Sequence, residues 1–379
     1  MRQESNLQAF FALVRAGLWG QEARLSQYKG TDFTKLLSIA EEQSVVGLVT
    51  AGLDKVADVK VPQADVLQFI GSSLQIEQQN LAMNQFVAIL IDKLRAADIY
   101  ALLVKGQGIA QCYEKPLWRS SGDVDLLLSG NNYKKADDLL LSMASSVDEE
   151  NGYNQHIAMT IDGWSVELHG TLRSGLWRSI DRTLDKVQEA VFYEGKVRSW
   201  MNGKTQVFLP GVDEDVIFVF SHILQHFFKE GIGLRQICDW CRLLWKYRES
   251  IDRKLLETRI RKMGLMTEWK AFAALAAEYL GMPVGAIPLF NENDNHNANL
   301  RKKAERIMDF VLESGNFGHN RDYSYYEKYP YVVYKAISML RHCNDFGRYV
   351  RIFPLDAIKV TWRRMCVGVS VAIRGERHE

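Results

Sequence analysis

The 379-residue sequence predicts an α+β fold, with a small mixed sheet flanked by N-terminal helices and a C-terminal helical domain. Three observations predict it. Apolar residues recur at helical spacing through residues 5–97 and again from 212 onward. Between them, residues 98–210 alternate short apolar runs with helical stretches and glycine turns. Within that middle part, Asp162-Gly163 separates two alternating runs, 156–161 and 164–169, which is a strong hairpin signal. A chain of this length can form two or three domains. The pattern divides it into an N-terminal helical segment (1–97), an α/β core (98–210) and a C-terminal helical domain (211–379).

In the first segment, residues 33–40 and a long run from 64 to 97, with Pro62 near its start, read as helices. Residues 100–104 read as a short buried strand that runs into Lys105, Gly106, Gln107 and Gly108, then an apolar-periodic stretch through Tyr113. The order is strand, glycine turn, helix. A helix N-terminus presents unpaired backbone N–H groups and a positive dipole end, and glycine lets a phosphate approach the backbone closely. Lys105 adds a cation. The turn is not a Walker A loop, since no Gly-x-x-x-x-Gly-Lys-Ser/Thr occurs.

Residues 119–128 (Arg-Ser-Ser-Gly-Asp-Val-Asp-Leu-Leu-Leu) carry the strongest chemical signal. Alternate side chains of an extended chain share a face, so Asp123 and Asp125 lie together while Val124, Leu126 and Leu128 face the other way. Two neighbouring carboxylates repel, and a divalent cation is the natural compensating charge. Mg²⁺ held by one or two carboxylates plus substrate phosphates is the usual arrangement at phosphoryl-transfer sites. Register locates a third acid. With a two-residue turn, Ile161 pairs with Trp164, Met159 with Val166 and Ile157 with Leu168 on an apolar face. The other face then sets Ala158 opposite Glu167 and His156 opposite His169. A one-residue slip would expose the apolar face, so the register is well specified. A last short strand at Val207 precedes Pro210-Gly211, which punctuates the end of the core.

The C-terminal half carries polar groups on apolar helices. His222 and His226 share a face at i, i+4, and without a Glu in second place they form no zinc-protease motif. Arg235 and Asp239, also at i, i+4, read as an intrahelical ion pair. Cys238 and Cys241 have metal-like spacing but no second pair, and read as buried free thiols. The asparagine-rich stretch 291–297 reads as a loop, and six tyrosines between Tyr323 and Tyr334 pack helices or stack a base or sugar.

Taken in order, Leu103-Val104-Lys105-Gly106, Arg119, the run from Gly122 to Leu127, and Val166-Glu167-Leu168-His169 resemble a poorly characterised bacterial nucleotidyltransferase-like family of the polymerase-β superfamily. His222 to His226, Gly233 to Asp239 and Glu313 to Gly318 resemble its helical half, so most of residues 80–320 is covered. The resemblance implies that Asp123, Asp125 and Glu167 bind Mg²⁺ or Mn²⁺ and carry catalysis. It implies nucleotide contacts from Lys105, Gly106, Gln107, Arg119 and Ser121, and acceptor or base contacts from His169, His222, His226, Arg235 and Asp239. The implied reaction is in-line attack of an acceptor on the α-phosphorus of an NTP, releasing pyrophosphate. The resemblance leaves the acceptor open among small molecules, glycans and proteins. One position departs from the superfamily pattern: Gly106-Gln107 stands where Gly-Ser is usual, removing a serine contact to phosphate unless Ser120 or Ser121 supplies it. That departure supports an alternative, a non-catalytic nucleotide-binding or protein-interaction module that has kept the fold.

Composition narrows the class further. With 47 Lys+Arg against 46 Asp+Glu the net charge is +1, without the basic excess that tracking a nucleic-acid backbone requires. Five cysteines do not suggest a disulfide framework. The start of the chain lacks an apolar signal core and no run is long enough to span a membrane, so a cytoplasmic enzyme is expected.

Overall fold

The computed structural model describes residues 2–148, 155–229, 231–315 and 346–363. The tyrosine-rich stretch from Tyr323 to Tyr334 lies outside them, as does the end of the motif that begins at Glu313.

Four helices come first: α1 (Arg2–Trp19), α2 (Phe33–Glu42), α3 (Val46–Leu53) and α4 (Gln63–Ala96). The middle stretch runs β1 (Ala101–Val104), α5 (Gly106–Ala110), β2 (Asp123–Leu128), α6 (Gly130–Leu141), β3 (Ser146–Val147), β4 (His156–Ile161), β5 (Trp164–His169), α7 (Arg178–Tyr193), β6 (Val197–Asn202) and β7 (Thr205–Pro210). Helices follow: α8 (Val212–Lys229), α9 (Leu234–Lys246), α10 (Arg253–Met263), α11 (Met266–Glu278), α12 (Glu292–Asn295) and α13 (Ala298–Ser314). The strands form one mixed sheet in the order β3-β4-β5-β2-β1-β7-β6. β2 is antiparallel to β1 and parallel to β5, and β1 is parallel to β7. The fold is α+β, with helices at both ends. Among the described residues no helix is long and apolar enough to cross a membrane.

The β4–β5 hairpin has the register that its Asp-Gly turn predicts, from Ile161 opposite Trp164 to His156 opposite His169. Asp162 and Gly163 both have positive φ, 50° and 79°, which the two central residues of a type I′ turn require. The alternation predicted for β2 sorts its side chains between two cores. Val124, Leu126 and Leu128 join Val166, Leu168, Met83, Val87 and Leu90 in one apolar cluster between the sheet and α4 with α6. Leu127 on the opposite face joins a larger cluster with the helical half, and that is the face Asp123 and Asp125 share.

Helix α4 ties the layers together. Its 34 residues span about 51 Å, with Asp65 in the first turn and Lys93 and Arg95 in the last, signs that suit the helix dipole. Phe69 packs in the core of the helical layer, and Ser73 donates to Thr50 of α3 at 2.7 Å. Buried Asn80 sits midway. Its Nδ2 donates to the carbonyls of Leu117 and Arg119 at 2.8 and 2.7 Å, and its Oδ1 accepts from Gln107 Nε2 at 2.8 Å. One side chain thus fixes both α5 and the turn that feeds β2.

The N-terminal helices pack against the C-terminal ones. Trp19 meets Trp245 edge to face with centroids 5.3 Å apart, and Arg15 donates to the Tyr279 carbonyl at 3.1 Å. Gln43 donates to the Val311 carbonyl at 3.1 Å and accepts from the Leu234 amide at 2.9 Å. Helices α1 and α3 approach so closely that a Cβ on Gly17 would stand 2.0 Å from the Leu48 carbonyl oxygen.

Two local expectations are corrected and one strand is added. The asparagine-rich stretch holds one helical turn, α12, within the expected loop, because Asn291 caps α12 through Asp294 N–H and Asn297 caps α13 through Asn299 and Leu300 N–H. Strand β6 pairs with β7, although its exposed and half-buried alternation leaves no buried apolar face to signal it. The helix expected to run through Tyr113 is a single turn of five residues.

Buried Glu268 of α11 hydrogen-bonds Asp356, which Lys359 contacts at 3.0 Å. Burial, then the hydrogen bond and charge of Asp356, push the Glu268 carboxyl up to about 9. It is protonated in the folded protein while an unfolded chain would ionise it above the ordinary carboxylic-acid range. Stability is therefore full at acidic pH and falls as pH rises toward 9. Glu268→Gln, which keeps the protonated shape, should raise the thermal midpoint at pH 8.5 and change it little at pH 4.5. An equal shift at both values would contradict this. A second expectation concerns the Asn80 clasp: Asn80→Ala strands buried polar groups and should cost about 2–4 kcal/mol in urea denaturation. Gln79→Ala on the exposed neighbour should stay within about 0.5 kcal/mol.

Candidate active site

Strand pairing assembles the carboxylates. β2 and β5 run parallel with Asp125 directly opposite Glu167, and Asp123 precedes Asp125 by two residues on the same face. One oxygen of each of the three lies within 4.8 Å of the others. The antiparallel β1 sets Val104 opposite Asp125. Strand parity would send the following Lys105 to the other face, but its backbone is left-handed, with φ of 56°, as is that of Gly106 at 37°. For a residue with a Cβ this conformation costs on the order of 1–3 kcal/mol. It lets the Lys105 ammonium reach Asp125 Oδ1 at 2.6 Å.

Asp125, whose side chain is 1 % exposed, has a second partner in His169, whose Nε2 stands 2.8 Å from the same oxygen. Glu167 Oε2 lies 3.1 Å from His156 Nε2 and 3.5 Å from His169 Nε2. The ionisation states follow from this packing. Burial disfavours charge on Lys105, but Asp125, Glu167 and Asp123 outweigh it and raise its pKa. His169 is raised likewise, its burial overcome by hydrogen bonds to Asp125 and Glu167. Burial would raise Glu167, yet hydrogen bonds from His156 and His169 and the charge of Lys105 hold it far below the usual range. Asp123 is raised, first by the charge of Asp125 and then by burial. It is the acid that the protein's own cations leave least compensated.

A cleft opens over Asp123 and Asp125. Lys105, Gly106, Ile109 and Arg119 line it from the sheet side, and Val219, His222, Ile223, Arg235, Gln236 and Asp239 line it from α8 and α9. His222 and His226 Nε2 atoms are 3.0 Å apart, and burial followed by the charge of Lys105 keeps His222 neutral, well below its ordinary pKa. His226 is not part of the lining. Arg235 donates from Nη1 to the Ser120 carbonyl at 2.7 Å, and burial, then the charge of Arg119, lowers its pKa.

Two expected assignments change. Asp239 pairs with Arg119 rather than Arg235, through Nε and Nη2 at 2.8 and 2.7 Å, and also accepts from the Tyr113 hydroxyl at 2.7 Å. Arg119 further donates to Ser121 Oγ at 2.7 Å. Its guanidinium is largely committed within the protein, and burying it required a bidentate partner. Gln107, grouped in sequence with the phosphate turn, points to Asn80 and Met83 on α4, so its side chain does not line the cleft. Sequence reasoning named neither Tyr113 nor His156 as a site residue. Tyr113 carried no signal, whereas His156 was legible as the cross-strand partner of His169.

The three carboxylates suit a hard divalent cation. They are oxygen donors at close range, one has its pKa raised by its neighbour's charge, and two of them, Asp123 and Asp125, line a cleft. Lys105 already neutralises part of Asp125, so an ion there shares that carboxylate with the ammonium.

No curated protein and no solved structure matches the chain. Residues 29–281 match the family described as uncharacterised nucleotidyltransferase, and since that match spans most of the chain, the protein belongs to this family.

Proposed function

We propose that the protein transfers a nucleoside monophosphate from an NTP to a small-molecule, glycan or protein acceptor, releasing pyrophosphate. The observation that carries this reading is the convergence of Asp123, Asp125 and Glu167 on the sheet face that opens into a cleft walled by α8 and α9. A divalent ion held by these three, Mg²⁺ or Mn²⁺, supplies charge neutralisation for the triphosphate and lowers the pKa of an attacking hydroxyl. Lys105, kept charged by the acids around it, is the protein's own cation nearest the phosphates, beside Gly106 in the cleft lining. Arg119 is neutralised by Asp239, so its contribution is to hold the turn before β2 and not to supply net charge. Arg235 is the guanidinium on the helical wall, placed to meet a phosphate or a base edge. Neutral His222, backed by His226, can accept or donate one hydrogen bond to the acceptor. The near-zero net charge favours acceptors other than nucleic acid.

Thermal denaturation with each NTP, with and without Mg²⁺, tests binding, and mass spectrometry of candidate acceptors tests transfer. One NTP should raise the midpoint only with Mg²⁺. Asp123→Asn should abolish that shift without lowering the ligand-free midpoint, and reduce turnover by about 100-fold or more. An Asp123→Asn protein that binds Mg²⁺-NTP like the parent would leave a binding module in place of an enzyme. For the helical wall, His222→Ala and Arg235→Ala should raise KM for the acceptor or blur base preference while the Mg²⁺-triphosphate shift persists. Lowered midpoints with unchanged kinetics would reduce both residues to tying helices together.

A further inference from the structure

Glu167 belongs to two ligand sets, and only one of them is all oxygen. The second joins it to His156 and His169, with one donor atom of each within 4.8 Å of the others. Glu167 Oε2 stands 3.1 Å from His156 Nε2 and 3.5 Å from His169 Nε2. Donors bound about 2.0–2.1 Å from a zinc ion at tetrahedral angles are roughly 3.3 Å from one another. The carboxylate oxygen is thus already at polyhedron-edge distance from both imidazole nitrogens.

Strand pairing builds this arrangement. The hairpin register sets His156 directly opposite His169 and the small Ala158 opposite Glu167 on the same face. The two rings, with centroids 4.8 Å apart, are tilted by 42° rather than stacked, and both present Nε2 to the same carboxylate. The side chains are 33 %, 25 % and 17 % exposed for His156, Glu167 and His169, which gives an ion a route from solvent on the His156 side. Imidazole nitrogen selects for zinc, iron, nickel or copper over magnesium, which favours oxygen donors.

We propose that His156, Glu167 and His169 form a second metal site, for a borderline-soft divalent cation of the Zn²⁺ class, sharing Glu167 with the all-oxygen set. Ligation by His169 Nε2 replaces its 2.8 Å contact with Asp125 Oδ1, which retains Lys105 as a partner. Three protein donors leave at least one coordination position open, as in zinc sites that bind water or substrate. The site does not depend on nucleotidyl transfer.

The probe is Co²⁺, added to the full chain in excess Mg²⁺ so that the all-oxygen set is occupied. One equivalent should produce visible d–d absorption of a site with nitrogen ligands, and Zn²⁺ should displace it. His156→Ala and His156→Gln should each raise the Co²⁺ Kd by about 100-fold or more, the upper end of what losing even a second-shell partner costs. Asp123→Asn should leave the band in place, and far-UV circular dichroism confirms that each variant is folded. Absence of the band in the parent, its survival in both His156 variants, or its loss in Asp123→Asn would each overturn the site. Thermal shifts with Mg²⁺-NTP on the same proteins report separately on the nucleotide reading, so the two can fail independently.

Discussion

Three carboxylates held within 4.8 Å of one another, two of them lining a cleft and Asp125 fully buried, repel strongly. Much of the surrounding chain answers that repulsion. Lys105 adopts a backbone conformation unfavourable for its residue type and thereby reaches Asp125. His169 bridges Asp125 and Glu167, and His156 engages Glu167 from the neighbouring strand. The protein's cations thus collect on Asp125 and Glu167 while Asp123 is left with a raised pKa at the cleft.

A sheet with two different faces makes this possible. Its apolar face is sealed by α4 and α6, which gives the strands a rigid backing, while the acid-bearing face looks toward α8 and α9. The polar groups on those helices are spaced along a wall that also contains Val219 and Ile223, so charge is confined to a few positions in an otherwise apolar surround. Buried Arg119 and Asp239 satisfy one another across the cleft and join the turn before β2 to α9.

What could be read in the sequence was what local periodicity determines. Strand parity gave the shared face of Asp123 and Asp125, and the Asp-Gly turn gave every pair of the β4–β5 hairpin, including Ala158 with Glu167. The long helix was legible from its apolar spacing and Pro62. Pairings between distant segments were not. Asp239 has Arg235 at helical spacing, yet it takes Arg119, 120 residues earlier in the chain, because that guanidinium can engage both carboxylate oxygens. The counter-ion for the acids was expected from outside, but a turn in the left-handed region at Lys105 supplies one from within, and nothing in the Lys-Gly sequence specifies that φ. Strand β6 escaped notice because it buries no apolar face, and Asn291 and Asn297 cap the starts of helices.

The contacts between the first helices and the last bear on how the chain is made. Gln43 rests on the carbonyl of Val311, Arg15 on that of Tyr279, and Trp19 on Trp245. During synthesis the N-terminal helices therefore emerge long before the surface that covers them, since domains form vectorially at about 5–20 residues per second. Tens of seconds would pass at the slower rate with the apolar flank of α1 open to solvent. Those contacts span more than 200 residues of intervening chain, so loop closure delays them further. A chain interrupted after the sheet would expose apolar surface along its first helices instead of ending as a compact, shorter protein.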